Sequence, residues 1–311
     1  MPFSLVICRQ IDNEAEHDPL AKQTIKRVFH LLHEYHAGYD EKLKSAYELY
    51  SEYAIYLELL KSGYKIDRIP EAQGEKRPDF RVSNGEDSIY IEAKILGWSG
   101  GSIQHNKAIE SGIDAQIDIE KQIQTGKNVA FGISEYNPIG GGKDAQEQGE
   151  QYIIETLIKK LANNVKTGQL ALGDTFLLCD ITSLSLFPYP REESAAVHNF
   201  HNPYGSYTSG ILWHIAFAKH GDMILKSIEF EGKPNVAGRL NQEGLMERHP
   251  QLAGVVFRTK GLGTEVKYTS MIPSAKFEKY GDIVTRLFDY WNDEDNSNAW
   301  HLLSDKHDGQ S

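Results

Sequence analysis

RPDFRVSNGEDSIYIEAK, residues 77–94, holds two short apolar-containing runs on either side of Asn84-Gly85. Asn-Gly tolerates the positive φ angles of a tight hairpin turn. The spacing therefore predicts strands over 79–82 and 88–95, joined by a turn over 83–85. Side chains alternate along a strand, so Ile89, Ile91, Ala93 and Ile95 share one face and Tyr90, Glu92 and Lys94 the other. Glu92 and Lys94 become same-face neighbours, and cross-strand pairing brings Asp79 beside Glu92. The other positions of the second strand are apolar, and a charge there is unfavourable unless it is paired or functional.

Two carboxylates this close repel unless a cation lies between them. Oxygen-rich sites of this kind suit Mg²⁺, with Mn²⁺ as a substitute, because Mg²⁺ uses one or two carboxylates and keeps positions for water and phosphate. Lys94 adds a positive charge beside an attacking water or a phosphate oxygen. Together these groups are the equipment for metal-assisted phosphodiester hydrolysis.

Ahead of the hairpin, 41–62 reads as an amphipathic helix with Ala46, Leu49, Tyr50, Tyr53, Leu57 and Leu60 in its apolar stripe. Glu52 lies at the border of that stripe, facing the edge where a site would form. Glu58 falls nearly opposite and is expected in solvent, and Glu48, further round, is the reserve acid. Gly63 ends the helix with a left-handed cap, and 64–69 reads as the first sheet strand.

Pro78-Asp79, a spacer, and Glu92-Ala93-Lys94 resemble the PD-(D/E)xK motif of the restriction-endonuclease-like nucleases. The segment from Glu52 to Gly63-Tyr64 resembles the helix before the hairpin, which in that superfamily often carries a further acid, and the turn after it. The likeness spans roughly residues 45–135. It implies an α/β fold, a mixed central sheet flanked by helices, with additional helices and strands at both ends. It implies a Mg²⁺-dependent endonuclease acting on nucleic acid, DNA rather than RNA, in restriction, anti-phage defence or DNA repair. By the same resemblance Asp79, Glu92 and the Ala93 backbone carbonyl bind metal, Glu52 completes the metal sphere or holds water, and Lys94 orients the nucleophile.

The chain has 311 residues, 40 % apolar and 25 % charged, which describes a globular protein with a sizeable core. Its net charge of −11 counts against strong nonspecific DNA affinity, and no basic stripe is visible. Part of that charge is local: 289–311 hold six acids against Lys306. Cys8 and Cys179 lie far apart among apolar residues and read as buried free thiols of a reducing cytoplasm. The opening MPFSLVICRQ has an apolar run too short for a signal peptide, and no stretch reaches membrane-spanning length.

Residues 1–40 form an N-terminal helical extension, 41–181 a nuclease-like core, and 182–311 a C-terminal α/β extension packed on it, with 289–311 as an acidic tail. Within the first, 3–8 is a short strand or a packing arm and 18–37 an amphipathic helix. Its His30, His33 and His36, three apart, read as a partly exposed face rather than a metal site. After the hairpin comes a glycine loop over 97–101, then a helix over 106–125 with Ile109, Ile113, Ile117 and Ile119 or Ile123 inward. The run NVAFGIS, 128–134, has the composition of a buried central strand. A Gly-rich loop over 137–149 lacks the P-loop pattern, since Asp144 follows Gly142-Lys143. A helix over 146–163 and a strand over 174–181 complete the alternation. In the long loop 182–210, His198, His201 and Asn202 carry HNH-type residues, but no second ligand pair follows. Strands are expected over 211–218, 223–230, 253–259 and 265–271, and a helix over 274–291. That half would extend the sheet or pack on it, and could contribute substrate selection or a homodimer or partner contact. The alternatives from other classes are a catalytically inactive nuclease-fold binding or scaffold module, its site residues closed as a salt bridge, and an RNA- or nucleotide-directed hydrolase.

Overall fold

The computed structural model describes residues 5–33, 40–70, 76–85, 87–97, 101–134, 150–184, 198–202, 205–228, 234–260 and 266–295. Helices α1 (Leu5–Glu14) and α2 (Pro19–His33) pack on the long helix α3 (Asp40–Leu60). Asp18 starts α2: its Oδ1 accepts the Leu20 N–H at 2.9 Å, and Pro19 brings the fixed φ suited to a first helical position. Its Oδ2 accepts the Tyr53 hydroxyl at 2.9 Å and ties the pair to α3. The expected strand or arm over 3–8 is instead helical from Leu5. Cys8, Ile11 and Ala15 recur at helical spacing and reach one apolar cluster, whereas a strand would split them between two faces.

The chain continues through β1 (Lys65–Arg68), β2 (Phe80–Ser83), β3 (Ser88–Ile95), α4 (Gly101–Gln124), α5 (Glu150–Asn164) and β4 (Thr175–Asp180). Beyond it come β5 (His198–Asn202), β6 (Gly205–Ser209), α6 (Ile211–Phe217), β7 (Met223–Ile228), β8 (Pro234–Arg239), α7 (Leu245–Arg248), β9 (Gly254–Lys260), β10 (Val266–Met271), α8 (Ser274–Leu287) and β11 (Tyr290–Asn292). Seven strands make one mixed sheet in the order β1-β2-β3-β4-β9-β10-β11. The β1-β2-β3 meander is antiparallel, β3-β4-β9 run parallel, and the far edge is antiparallel then parallel. Strands from both sides of residue 181 therefore share it. β5-β6 and β7-β8 are separate hairpins.

Helices cover both faces of the sheet. On one, Ile55 and Leu59 of α3 and Ile283 and Val284 of α8 meet Ile89, Ile91, Phe176, Leu178 and Val256. On the other, Ile154, Leu157, Ile158 and Leu161 of α5, with Leu212 and Ile215 of α6, meet Leu177, Cys179, Val255 and Phe257. All of β4 is buried, as expected for a parallel strand covered on both sides.

Four expectations are corrected by this packing. Residues 128–134 join no sheet, and Val129, Phe131 and Ile133 are exposed. The segment folds back on α4: Gly132 leaves no room for a Cβ against the Ala115 carbonyl, and Gln122 Nε2 donates to the Phe131 carbonyl at 2.8 Å. On α4 itself Ile113, Ile117 and Ile123 are exposed rather than inward. The strand expected over 211–218 is α6; a short apolar run buried all round does not declare its period. The last helix stops at Leu287, and β11 follows, with buried Trp291 stacked on Phe277 at 3.7 Å.

Both cysteines are free; Cys179 is buried and Cys8 half-buried. No helix among the described residues is long and apolar enough to cross a membrane. Asp289, Asp293 and Glu294 are not part of a loose tail: Asp289 Oδ2 accepts the Tyr268 N–H at 2.8 Å and Glu294 accepts from Ser274. The expectation of one long loop over 182–210 is corrected too: Thr182–Leu184 is a 3-10 turn, and β5 and β6 pair as a hairpin. Residues 98–100 of the glycine loop, the loop over 137–149, residues 185–197 and the acids Asp305 and Asp308 lie outside the described residues. So do the side chains of His198, His201 and Asn202, whose backbone forms β5.

Candidate active site

The hairpin forms in the expected register, with Phe80 opposite Ile91 and Val82 opposite Ile89. Gly85 adopts φ +101°, and Asn84 Oδ1 accepts the Asp87 N–H at 2.8 Å, closing the turn. Ile89, Ile91 and Ala93 enter the α3-side core. Glu92 and Lys94 sit beside Leu177 and Cys179 of β4, whose side chains belong to the α5-side core.

Pro78 cannot donate to the ladder, and β2 begins only at Phe80. Asp79 fills the gap. Its N–H donates to the Ile91 carbonyl at 3.0 Å, its own carbonyl accepts the Ile69 N–H at 2.9 Å, and its Oδ2 accepts the Ala93 N–H at 2.7 Å. A carboxylate oxygen thus stands where a neighbouring strand would have offered a carbonyl. Glu92 is 2 % exposed. Its Oε1 accepts from Lys94 Nζ at 2.5 Å and from Gln169 Nε2 at 2.6 Å. Its Oε2 is buried with no hydrogen-bond partner.

Burial and the neighbouring Glu92 charge push the Asp79 carboxyl up to about 8, opposed by the Ala93 N–H. Burial also raises Glu92, while Lys94 pulls it down. Each acid therefore resists ionising in its present surroundings, and a divalent cation would relieve both. The donors fit Mg²⁺ or Mn²⁺: hard oxygen ligands, one of them an orphaned buried carboxylate oxygen, beside the Ala93 backbone. Among the described residues no group of three or more His, Cys, Asp or Glu side chains is arranged to hold a metal, so water and substrate would fill the other positions.

Glu52 comes from α3 and is ion-paired with Arg68 of β1. Its charge still raises both Asp79 and Glu92. Glu48 and Glu52 line the same cleft as Ala93 and Lys94. Glu58 is corrected: it is not in solvent. It takes a bidentate pair from Arg258 at 2.8 and 2.9 Å and accepts from the Tyr268 hydroxyl. Arg258 also donates to Asp180 Oδ2 at 2.8 Å, and Asp180 Oδ1 accepts from Thr182 Oγ1 at 2.6 Å. These charges clamp α3 to β4, β9 and β10. A helical wheel shows one apolar stripe, but α3 is gripped from two sides, by α1-α2 and by the sheet.

Gln169, in a 3-10 turn at Thr167–Leu170, escapes sequence reasoning because it lies 77 residues from Glu92. Its Oε1 accepts the Lys166 N–H at 2.8 Å, a local capping signal that holds the amide but does not reveal its target. Arg68, held over the Tyr53, Tyr56 and Phe80 rings at 5.9 Å, is a second such residue. No family model, no curated protein and no solved structure matches this chain.

Proposed function

We propose that this chain is a metal-dependent endonuclease of the restriction-endonuclease-like type, hydrolysing phosphodiester bonds of nucleic acid, DNA in preference to RNA. The observation that carries the proposal is the carboxylate pair: Asp79 pinned by Ala93 N–H, Glu92 buried with one orphaned oxygen, and Lys94 alongside. Asp79, Glu92 and the Ala93 carbonyl would hold Mg²⁺ or Mn²⁺, with Glu52 nearby through water. When bound, the metal lowers the pKa of a water and neutralises charge at phosphorus. Ala93 N–H and Gln169 keep the two carboxylates from turning away. Arg68 fixes Glu52. Lys94, released from Glu92 when that charge is engaged elsewhere, offers its protons to the attacking water or to the oxygen on which charge grows.

Nicking of supercoiled plasmid in Mg²⁺ tests this. Asp79→Asn and Lys94→Ala are each expected to lose at least about 100-fold in rate with the circular dichroism spectrum unchanged. Undiminished nicking by both variants overturns the mechanism. Because Asp79 must shed its proton to bind metal, Mg²⁺ affinity is expected to rise with pH through about 8.

A binding or scaffold module on the same fold is the second reading, favoured by Lys94 already resting on Glu92 at 2.5 Å. Calorimetric titration with Mn²⁺ separates the two. The enzyme binds metal and Asp79→Asn weakens it; the module binds none.

A further inference from the structure

Beside the carboxylate pair a cleft of about 950 Å³ opens between α2, α3, α5 and the end of β3. In a chain of net charge −11 its walls gather four cations, Arg27, Lys44, Lys94 and Lys160, against the acids Glu48 and Glu52. Lys44 lies 3.7 Å from Glu48 in an exposed i,i+4 pair that neutralises little. Arg27 and Lys160 have no acid partner among the described residues. Lys160 is half-buried, and burial together with the Lys44 charge holds its ammonium below the usual lysine range. Cations converging on one concave wall, Lys160 half-buried among them and neither Arg27 nor Lys160 offset by an acid among the described residues, repel one another in the free protein. They are the arrangement a polyanion relieves.

We infer that this cleft grips the sugar–phosphate backbone of a DNA strand, with Arg27, Lys44 and Lys160 on the phosphates next to the one presented to Asp79, Glu92 and Lys94. The inference rests on the nuclease reading and adds the path of the substrate. It also gives the N-terminal helices a task, since α2 supplies Arg27 and so forms one wall of the binding site. Among the described residues His30 is the one ring in the lining, and Ile95, Leu96, Leu31 and Leu49 supply apolar surface. Cations on the phosphates read backbone rather than bases.

Fluorescence anisotropy of the full-length protein with a labelled DNA duplex, in EDTA so that no cleavage intervenes, tests the grip. The double variant Arg27→Ala/Lys160→Gln is expected to bind at least 10-fold more weakly at low salt. The slope of log K against log salt is expected to fall by about 0.9 for each phosphate contact removed. Arg27→Lys/Lys160→Arg, which keeps the charges, is expected to restore both. Lys65→Ala, an exposed cation outside the cleft paired with Asp67, is expected to change neither. Unchanged affinity and slope in the double variant, or an equal loss in Lys65→Ala, overturns the grip even if nicking is confirmed. Loss of affinity in the double variant, in a protein that nicks nothing, keeps the grip and removes the nuclease reading instead.

Discussion

Strand β3 and the segment 128–134 make an instructive pair. SIYIEAKI carries two full charges, and NVAFGIS carries none. On composition the second is the better core strand, yet the outcome is the reverse. Ile91 is 0 % exposed and even Glu92 only 2 %, whereas Val129 and Ile133 are 77 % and 76 % exposed. The difference lies in partners. β3 has β2 delivered to one edge by the Asn84-Gly85 turn and β4 on the other, so its ladder and both its faces are complete. The segment 128–134 has no strand on either edge among the described residues. Phe176, Leu177 and Leu178 of β4 fill both faces of the sheet, while Ala130 and Gly132 would leave one face hollow. Apolar content makes a segment eligible for the core; neighbours on both edges and both faces admit it.

The contrast can be tested by truncation. Phe80→Ala, opposite Ile91 and fully buried, is expected to lower unfolding stability by about 3–5 kcal/mol. Urea midpoints at unchanged slope would measure it, and a loss below about 1 kcal/mol would break the contrast. Arg258→Ala attacks the polar side of the same core and leaves buried Asp180 and half-buried Glu58 without their partner. A loss of about 3–5 kcal/mol is expected, and Arg258→Met with Glu58→Leu and Asp180→Leu together should recover most of it.

A smaller and pH-dependent effect comes from the carboxylate pair. The folded protein holds the Asp79 proton up to about 8, well above the ordinary carboxylate range. Between about pH 4 and 8 it binds more protons than the unfolded chain, so its contribution to stability is full at low pH and is lost as pH rises. The metal-free protein is expected to lose stability across that window by at most about 1.4 kcal/mol per pH unit from this group. Asp79→Asn should flatten that dependence in thermal melts at stepped pH, and saturating Mg²⁺, by keeping the folded carboxylate ionised, should flatten it as well. The smallest effect belongs to the exposed segment: Phe131→Ser is expected within about 0.5 kcal/mol of the parent. A loss near that of Phe80→Ala would mean that the segment is covered in solution.

Local chemistry accounts for what could be read from the amino acids alone. The hairpin, its turn glycine at positive φ, Gly63 closing α3, β4 and the alternation of Glu92 and Lys94 each depend on residues a few positions apart. The nearness of Asp79 to Glu92 follows from one register and a single turn. What lay beyond that reach joins distant parts of the chain. Glu58 meets Arg258 across 200 residues, Gln169 reaches Glu92 across 77, and Arg27 shares a cleft with Lys160. A pattern in sequence marks which side of a helix is apolar, but how many sides are covered depends on everything packed around it. For α3 that meant two sides and an acid closed in an ion pair with Arg258; for α4 it left three isoleucines in water.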